Sequence, residues 1–262
     1  AGLELIASPL LGRRAPPGGW LPAEERQGDL ARGLDHGVLL AARGGYGCLD
    51  LVSGLLASGR TRGPLLVGYS DLTILHACWQ RNGWGESLYG FLPGIGAGPR
   101  SLDSTARLLR GEGLGWSASA CPTVRTLAPG RVRAPLVAAC LRVLAGLVGT
   151  PAMPELGGSI LAIEDIDERP YRLDRDLWQL HAAGRLAGVV GLIGGQFTAE
   201  SPAAYGGPDA GQVLAGWAGR LGVPAIVGLP FGHADDPLTL PWGRVAELVA
   251  SAQGWSLDIS AR

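Results

Sequence analysis

The chain has 262 residues, 47% of them hydrophobic and 17% charged, with a formal net charge of -1. That length and apolar content can build one large domain or two smaller ones, each with its own core. A nearly neutral chain offers no basic field to nucleic acid and no acidic solvating tail, and no apolar run reaches the length of a membrane-spanning helix.

Residues 3–8 (L-E-L-I-A-S) read as a first strand, and the Pro/Gly/Arg-rich residues 9–22 as an exposed loop. Residues 24–34 have helical spacing through Leu30 and Leu34, and 38–42 read as a buried strand. That strand runs into Arg43-Gly44-Gly45-Tyr46-Gly47 and then a helix through Leu49, Leu51, Val52 and Leu55. Residues 65–68 are a short apolar run that turns at Ser70 into a helix continuing through Cys78 and Trp79. Strand, helix, strand, helix with short turns predicts a parallel sheet with right-handed crossovers. Beyond a Gly/Pro-rich stretch at 90–99, residues 100–109 read as a short helix. Residues 111–134 space Trp116, Val124, Leu127 and Val132 among Gly, Pro and Ser, which marks a crossing into a second domain with short strands. Residues 136–148 then read as a helix, 160–165 (I-L-A-I-E-D) as a strand, 174–183 as a helix, 189–195 as a strand and 213–221 as a helix. A last strand at 225–229 leads into Pro230-Phe231-Gly232-His233. The expected division is 1–115 for an N-terminal α/β domain and 116–262 for a smaller C-terminal α/β domain.

All 22 basic residues are arginine. Schiff-base, P-loop-lysine and Ser–Lys chemistries are thereby excluded, so a serine nucleophile must find its base among the four histidines or the carboxylates. The four cysteines (Cys48, Cys78, Cys121, Cys140) lack C-x-x-C spacing and sit among apolar or small residues, as buried free thiols do. Ser70 ends a strand and opens a helix, as at a nucleophile elbow, although Leu72 stands where the second Gly of G-x-S-x-G would be. A helix-capping serine occupies the same position. The Arg43-to-Gly47 turn allows close approach of backbone to a ligand, or is simply a tight turn. Glu164-Asp165-Ile166-Asp167-Glu168 is either a solvated acidic loop or a carboxylate site, and Glu164, directly out of the buried strand, is the acid best placed to face a cleft. No His or Cys lies nearby at metal-ligand spacing. His233 follows a strand end; His36, His76 and His181 read as structural or exposed. Ser70, Glu164 and His233 thus stand at three strand ends, where α/β sites assemble.

The stretches V-G-Y-S-D-L-T, A-R-G-G-Y-G, I-E-D-I-D-E-R-P-Y-R-L-D-R and G-L-P-F-G-H-A-D-D-P-L-T-L-P-W-G resemble, in order, the LD-carboxypeptidase family of serine peptidases. That family includes muramoyltetrapeptide carboxypeptidases and microcin C self-immunity peptidases. The resemblance implies a metal-independent, cofactor-free hydrolase with a Ser70–Glu164–His233 triad and an oxyanion hole from the backbone amides of Asp71 and Gly45. Substrate contacts would come from Arg43, Gly44 and Tyr46, with Arg43 a candidate for a terminal carboxylate. It further implies a cytoplasmic homodimer that releases terminal D-alanine from murein tetrapeptides, without nucleic-acid or membrane partners. The alternatives are a microcin C-type peptidyl-nucleotide hydrolase and a non-catalytic muropeptide-binding module. Relative to the family the chain looks shortened before Ala1, carries Ala134 to Ala139 in place of a Gly-Gly-Asn stretch, and has Tyr89-Gly90-Phe91 where His-Gly-Pro is usual.

Overall fold

The computed structural model describes residues 4–13, 21–93, 97–199 and 205–262. Its first part alternates helix and strand: α1 (Ala23–Gly33), β1 (Val38–Leu40), α2 (Val52–Leu56), β2 (Leu65–Gly68), α3 (Thr73–Arg81), β3 (Ser87–Tyr89) and α4 (Pro99–Leu109). β1, β2 and β3 are parallel with β2 between the other two, as the alternation predicts. Helix α3 is buried from Thr73 to Trp79. A helix covered all the way round belongs inside the molecule rather than on its surface. It fixes the rigid base on which residue 70 sits.

The second part contains β4 (Leu114–Ser117), β5 (Arg125–Ala128), β6 (Gly130–Cys140), α5 (Leu141–Ala145), β7 (Ile160–Asp165), α6 (Pro170–Ala182), β8 (Gly191–Phe197), α7 (Ala210–Leu221) and β9 (Ala225–Val227). It closes with β10 (Leu240–Trp242), β11 (Val245–Ser251) and β12 (Gly254–Ile259). Eight strands form one sheet in the order β4-β12-β11-β6-β7-β8-β9-β5. Its centre, β6 to β9, is parallel, and antiparallel strands flank it on both sides. The chain is a two-part α/β fold.

Four expectations change. Residues 136–140, read as the start of a helix, complete β6, and only 141–145 are helical. Pinned between β11 and β7, Leu136 to Cys140 are buried without alternation. A continuous apolar run of this kind looks the same in a central strand and in a buried helix. Residues 4–8 form no strand: Leu5 is 82% and Ile6 62% exposed, with no ladder beside them to reward extension. Of the predicted loops, 14–20 and 94–96 lie outside the described residues. Helix α6 begins at Pro170 rather than 174, with the proline in its first turn, where the missing N–H costs nothing. Strands β10 to β12 were not anticipated, and β10 pairs antiparallel with β3, so late residues complete the first sheet. Strand β4 spans the expected division at 115–116 and pairs with β12.

The turn after β10 stitches the two sheets together. Gly243 N–H donates to the Leu136 carbonyl at 2.7 Å, and Leu136 N–H to the Arg244 carbonyl at 2.9 Å. Arg244, itself buried, forks onto Glu86, with Nε to Oε2 at 2.8 Å and Nη2 to Oε1 at 2.6 Å. Planar two-point pairing of this kind fixes orientation as well as charge.

Candidate active site

Ser70 follows β2 and begins a single 3-10 turn that leads into α3. Its φ is +69°, the left-handed region that serine rarely visits. Such backbone strain at a strand-to-helix corner is the geometry of a nucleophile elbow. The buried Asp71 carboxylate accepts Cys48 N–H at 2.9 Å, tying the elbow to the end of the Arg43-to-Gly47 turn. Gly44 lies directly over the serine: a Cβ there would come within 2.9 Å of Ser70 Cβ and 3.2 Å of Oγ. Only a residue without a side chain fits. Arg43 is exposed and donates from Nε to its neighbour's carbonyl, that of Gly44, at 3.3 Å. Tyr46 is 67% exposed.

Glu164, the fifth residue of β7, is fully buried. Its Oε2 accepts from His233 Nδ1 at 2.8 Å and from the His233 backbone N–H at 3.3 Å. With a carboxylate as acceptor, Nδ1 carries the hydrogen and Nε2 is left with its lone pair outward. Gly232 makes the approach feasible: its φ is +79°, and a Cβ would overlap Cγ and Cδ of Glu164. Burial alone would lower the His233 pKa. The Glu164 hydrogen bond and charge, with Asp165 and Asp167 behind, outweigh burial and raise it. Asp165 is pushed up to about 7 by burial, partly offset by the Arg142 N–H, with the Glu164 charge adding to the rise.

The two halves meet at two tyrosines. The Tyr69 ring sets its edge against the His233 imidazole, with centroids 5.1 Å apart and planes at 74°. Tyr89 Oη donates to Glu164 Oε1 at 2.7 Å and accepts Ser70 N–H at 3.2 Å. Among the described residues, Ser70 Oγ and His233 share no hydrogen bond. The link between them in this structure runs through Tyr89 and Glu164. The sequence marks Tyr89 only by its place at the end of a short strand before Gly90, and Tyr69 only as the neighbour of the serine; neither place reveals the link to Glu164 or His233.

Among the described residues, the remaining histidines make no hydrogen bond to Ser70, Glu164 or His233, although the His76 ring lies against Tyr89. His76 is buried between the Gly68 carbonyl (Nε2, 2.8 Å) and Ser87 Oγ (Nδ1, 2.7 Å), and stacks on Trp242. Burial lowers its pKa to about 4. His181 packs against Trp217, and His36 is exposed in a turn. All four cysteines are free thiols, three of them buried. Among the described residues, no group of three His, Cys, Asp or Glu side chains could hold a metal ion. Among them too, no helix is long and apolar enough to cross a membrane.

Comparison with known proteins matches both parts. The LD-carboxypeptidase N-terminal domain covers residues 21–90 and the LD-carboxypeptidase C-terminal domain residues 133–248. The murein tetrapeptide carboxypeptidase of Pseudomonas aeruginosa is 30% identical, over 88% of this chain and 80% of its own. The crystal structure of muramoyltetrapeptide carboxypeptidase from Oxalobacter formigenes aligns with a TM-score of 0.76 at 29% identity, covering 92% of this chain and 85% of that one. Microcin C7 self immunity protein MccF shares the fold, with a TM-score of 0.77 at 20% identity over 100% of this chain and 87% of that one. Ser70 falls inside the first matched segment, and Glu164 and His233 inside the second. By sequence across both segments and by fold across nearly its whole length, the chain belongs to the LD-carboxypeptidase family.

Proposed function

We propose that this chain is a serine LD-carboxypeptidase that cleaves the L,D bond of murein tetrapeptides and releases terminal D-alanine. One observation carries the assignment: a fully buried carboxylate, Glu164, orients His233 and is tied through Tyr89 to the amide of a strained serine at a strand end. Ser70 Oγ attacks the scissile carbonyl while His233 Nε2 takes its proton. Glu164 holds the tautomer and stabilises the imidazolium that forms. The Ser70 amide is already committed to Tyr89. The oxyanion is therefore received by the Asp71 amide, which opens the helical turn where N–H groups lack intrahelical acceptors, together with that of Gly45. One such donor is worth ~10²–10³ in turnover. His233 then returns the proton to the departing D-alanine amine, and water attacks the acyl-enzyme to free Ser70.

Arg43, Gly44 and Tyr46 belong to the turn that would receive the substrate, with Arg43 free to swing toward a terminal carboxylate. The half through residue 115 supplies the nucleophile and the half from 116 the acid and base. We assign the protein, as a homodimer in the cytoplasm, to recycled murein peptides. The 30% identical murein tetrapeptide carboxypeptidase of Pseudomonas aeruginosa, matched over 88% of this chain, favours the murein substrate.

Mass spectrometry of murein tri-, tetra- and pentapeptides after incubation tests the assignment. Loss of D-alanine from the tetrapeptide alone is expected, and it should vanish in Ser70→Ala and His233→Ala. Full activity in either variant would overturn the triad.

A further inference from the structure

We infer that Tyr89 is a positioning residue of this site: its hydroxyl holds the Glu164 carboxylate that orients His233 and locks it to the Ser70 elbow. The inference rests on the proposed triad. Glu164 spends Oε2 on His233 through two hydrogen bonds, and among the described residues Oε1 receives one, from Tyr89 Oη at 2.7 Å. A buried carboxylate oxygen stripped of its donor carries the desolvation cost alone. The carboxylate would then turn toward whatever donor remained, taking the imidazole with it.

The direction of the Tyr89 proton is fixed by what surrounds the oxygen. Ser70 N–H donates to it at 3.2 Å, which occupies one acceptor direction. A carboxylate can only accept, so the phenol O–H is left to Glu164. Burial, and then the Glu164 charge, push its pKa well above 10, so the donor keeps its hydrogen across the working pH range. The ring cannot swing away. It is packed edge-on to Tyr69 and Phe231 and tilted against His76, at centroid distances of 6.2, 6.4 and 5.6 Å. Tyr89 comes from the serine-bearing half and Glu164, 75 residues on, from the other. One hydroxyl therefore sets the register between nucleophile and base.

Tyr89→Phe keeps the ring and removes the donor. The expected kcat falls ~10–100-fold, as for a lost hydrogen bond to a buried charge, with KM within about twofold. Rates are taken per Ser70 labelled by a fluorophosphonate, so misfolded protein does not count. Independently of any substrate, the His233 Nδ1–H proton should be visible downfield by NMR in the wild type and lost to exchange in the variant. An unchanged kcat per labelled site, or an unchanged proton signal, overturns the inference. A wild type that neither labels nor releases D-alanine refutes the proposed function instead, and the NMR arm still decides the role of Tyr89. If the phenylalanine variant does not fold, site-specific 3-fluorotyrosine at position 89 supplies a stronger donor in the same shape. It should move the acid limb of kcat/KM downward by ~0.2–0.5 pH unit, a fraction of one hydrogen bond. The other groups facing His233 (Asp165, Asp167 and the Tyr69 ring) are unaltered by that change, and an unmoved limb overturns the inference.

Discussion

Gly44→Ala separates crowding of the nucleophile from damage to the fold. The added methyl carbon would sit 2.9 Å from Ser70 Cβ, 3.2 Å from Oγ and 3.4 Å from the Tyr69 carbonyl. Ordinary carbon contacts begin near 3.4 Å, so the closest falls short by 3.4 - 2.9 = 0.5 Å. Ser70 already occupies a strained corner, and the buried Asp71 tie to Cys48 prevents the turn from backing away. The displacement therefore falls on the serine, and misplacement by ~0.5–1 Å costs up to ~10²-fold in rate. Gly44 has no left-handed φ to strain, so the cost to stability is confined to relieving this one contact. D-alanine release and fluorophosphonate labelling should both slow by more than tenfold, while the thermal midpoint falls by only a few degrees. Wild-type rates would show that Gly44 does not lie over the working serine. A rate loss no larger than the loss of folded protein would show that folding, not positioning, is at stake.

Gly232→Ala should behave differently, lowering both the thermal midpoint and kcat. The left-handed backbone costs ~1–2 kcal/mol there, and the methyl group drives into Glu164; a wild-type kcat would contradict this. Because His233 must be neutral to accept a proton and its pKa is raised, kcat/KM should fall as pH drops, with a midpoint above the ordinary 6.5. A pH–rate profile with its midpoint at or below 6.5 would contradict the Glu164 interaction. Asp165 and His76 should give opposite pH dependences of stability. Asp165, at about 7 rather than 3.8, retains a proton that the unfolded chain has lost, so its contribution falls as pH rises through that window. His76, at about 4 rather than 6.5, resists a proton that the unfolded chain takes up, so its contribution falls as pH drops from 6.5 toward 4. Thermal midpoints measured from pH 4 to 6.5 should climb more steeply than wild type in Asp165→Asn and less steeply in His76→Gln. Parallel curves for all three proteins would refute both assignments.

What could be read in advance was local. The apolar run before Ser70 and the helical spacing after it describe one continuous strand–turn–helix, and the same logic placed Glu164 at the end of β7. Leu136 to Cys140 defeated it because burial on both faces erases the period that tells strand from helix. The hairpin of β11 and β12 was legible but unread: V-A-E-L-V-A-S alternates half-buried and buried residues along its length. Residues 4–8 show the opposite failure, since an apolar stretch is only a strand where another strand meets it. Tyr89 carries no local signature of its role. A tyrosine at the end of a buried strand is ordinary core until a carboxylate from far along the chain arrives beside it.

Strand β10 has a consequence for any attempt to recombine this chain with a relative. The early β1-β2-β3 sheet takes its outer strand from residues 240–242, paired Leu240 to Tyr89 and Trp242 to Ser87. Immediately behind Tyr89, Gly90 leaves no room for a side chain against Thr239. A chimera cut once between the two halves would thus put strands of different parentage edge to edge, beside the tyrosine that meets Glu164. Exchange of the serine-bearing half becomes workable only when residues 239–242 travel with it, as a second, discontinuous segment of the graft.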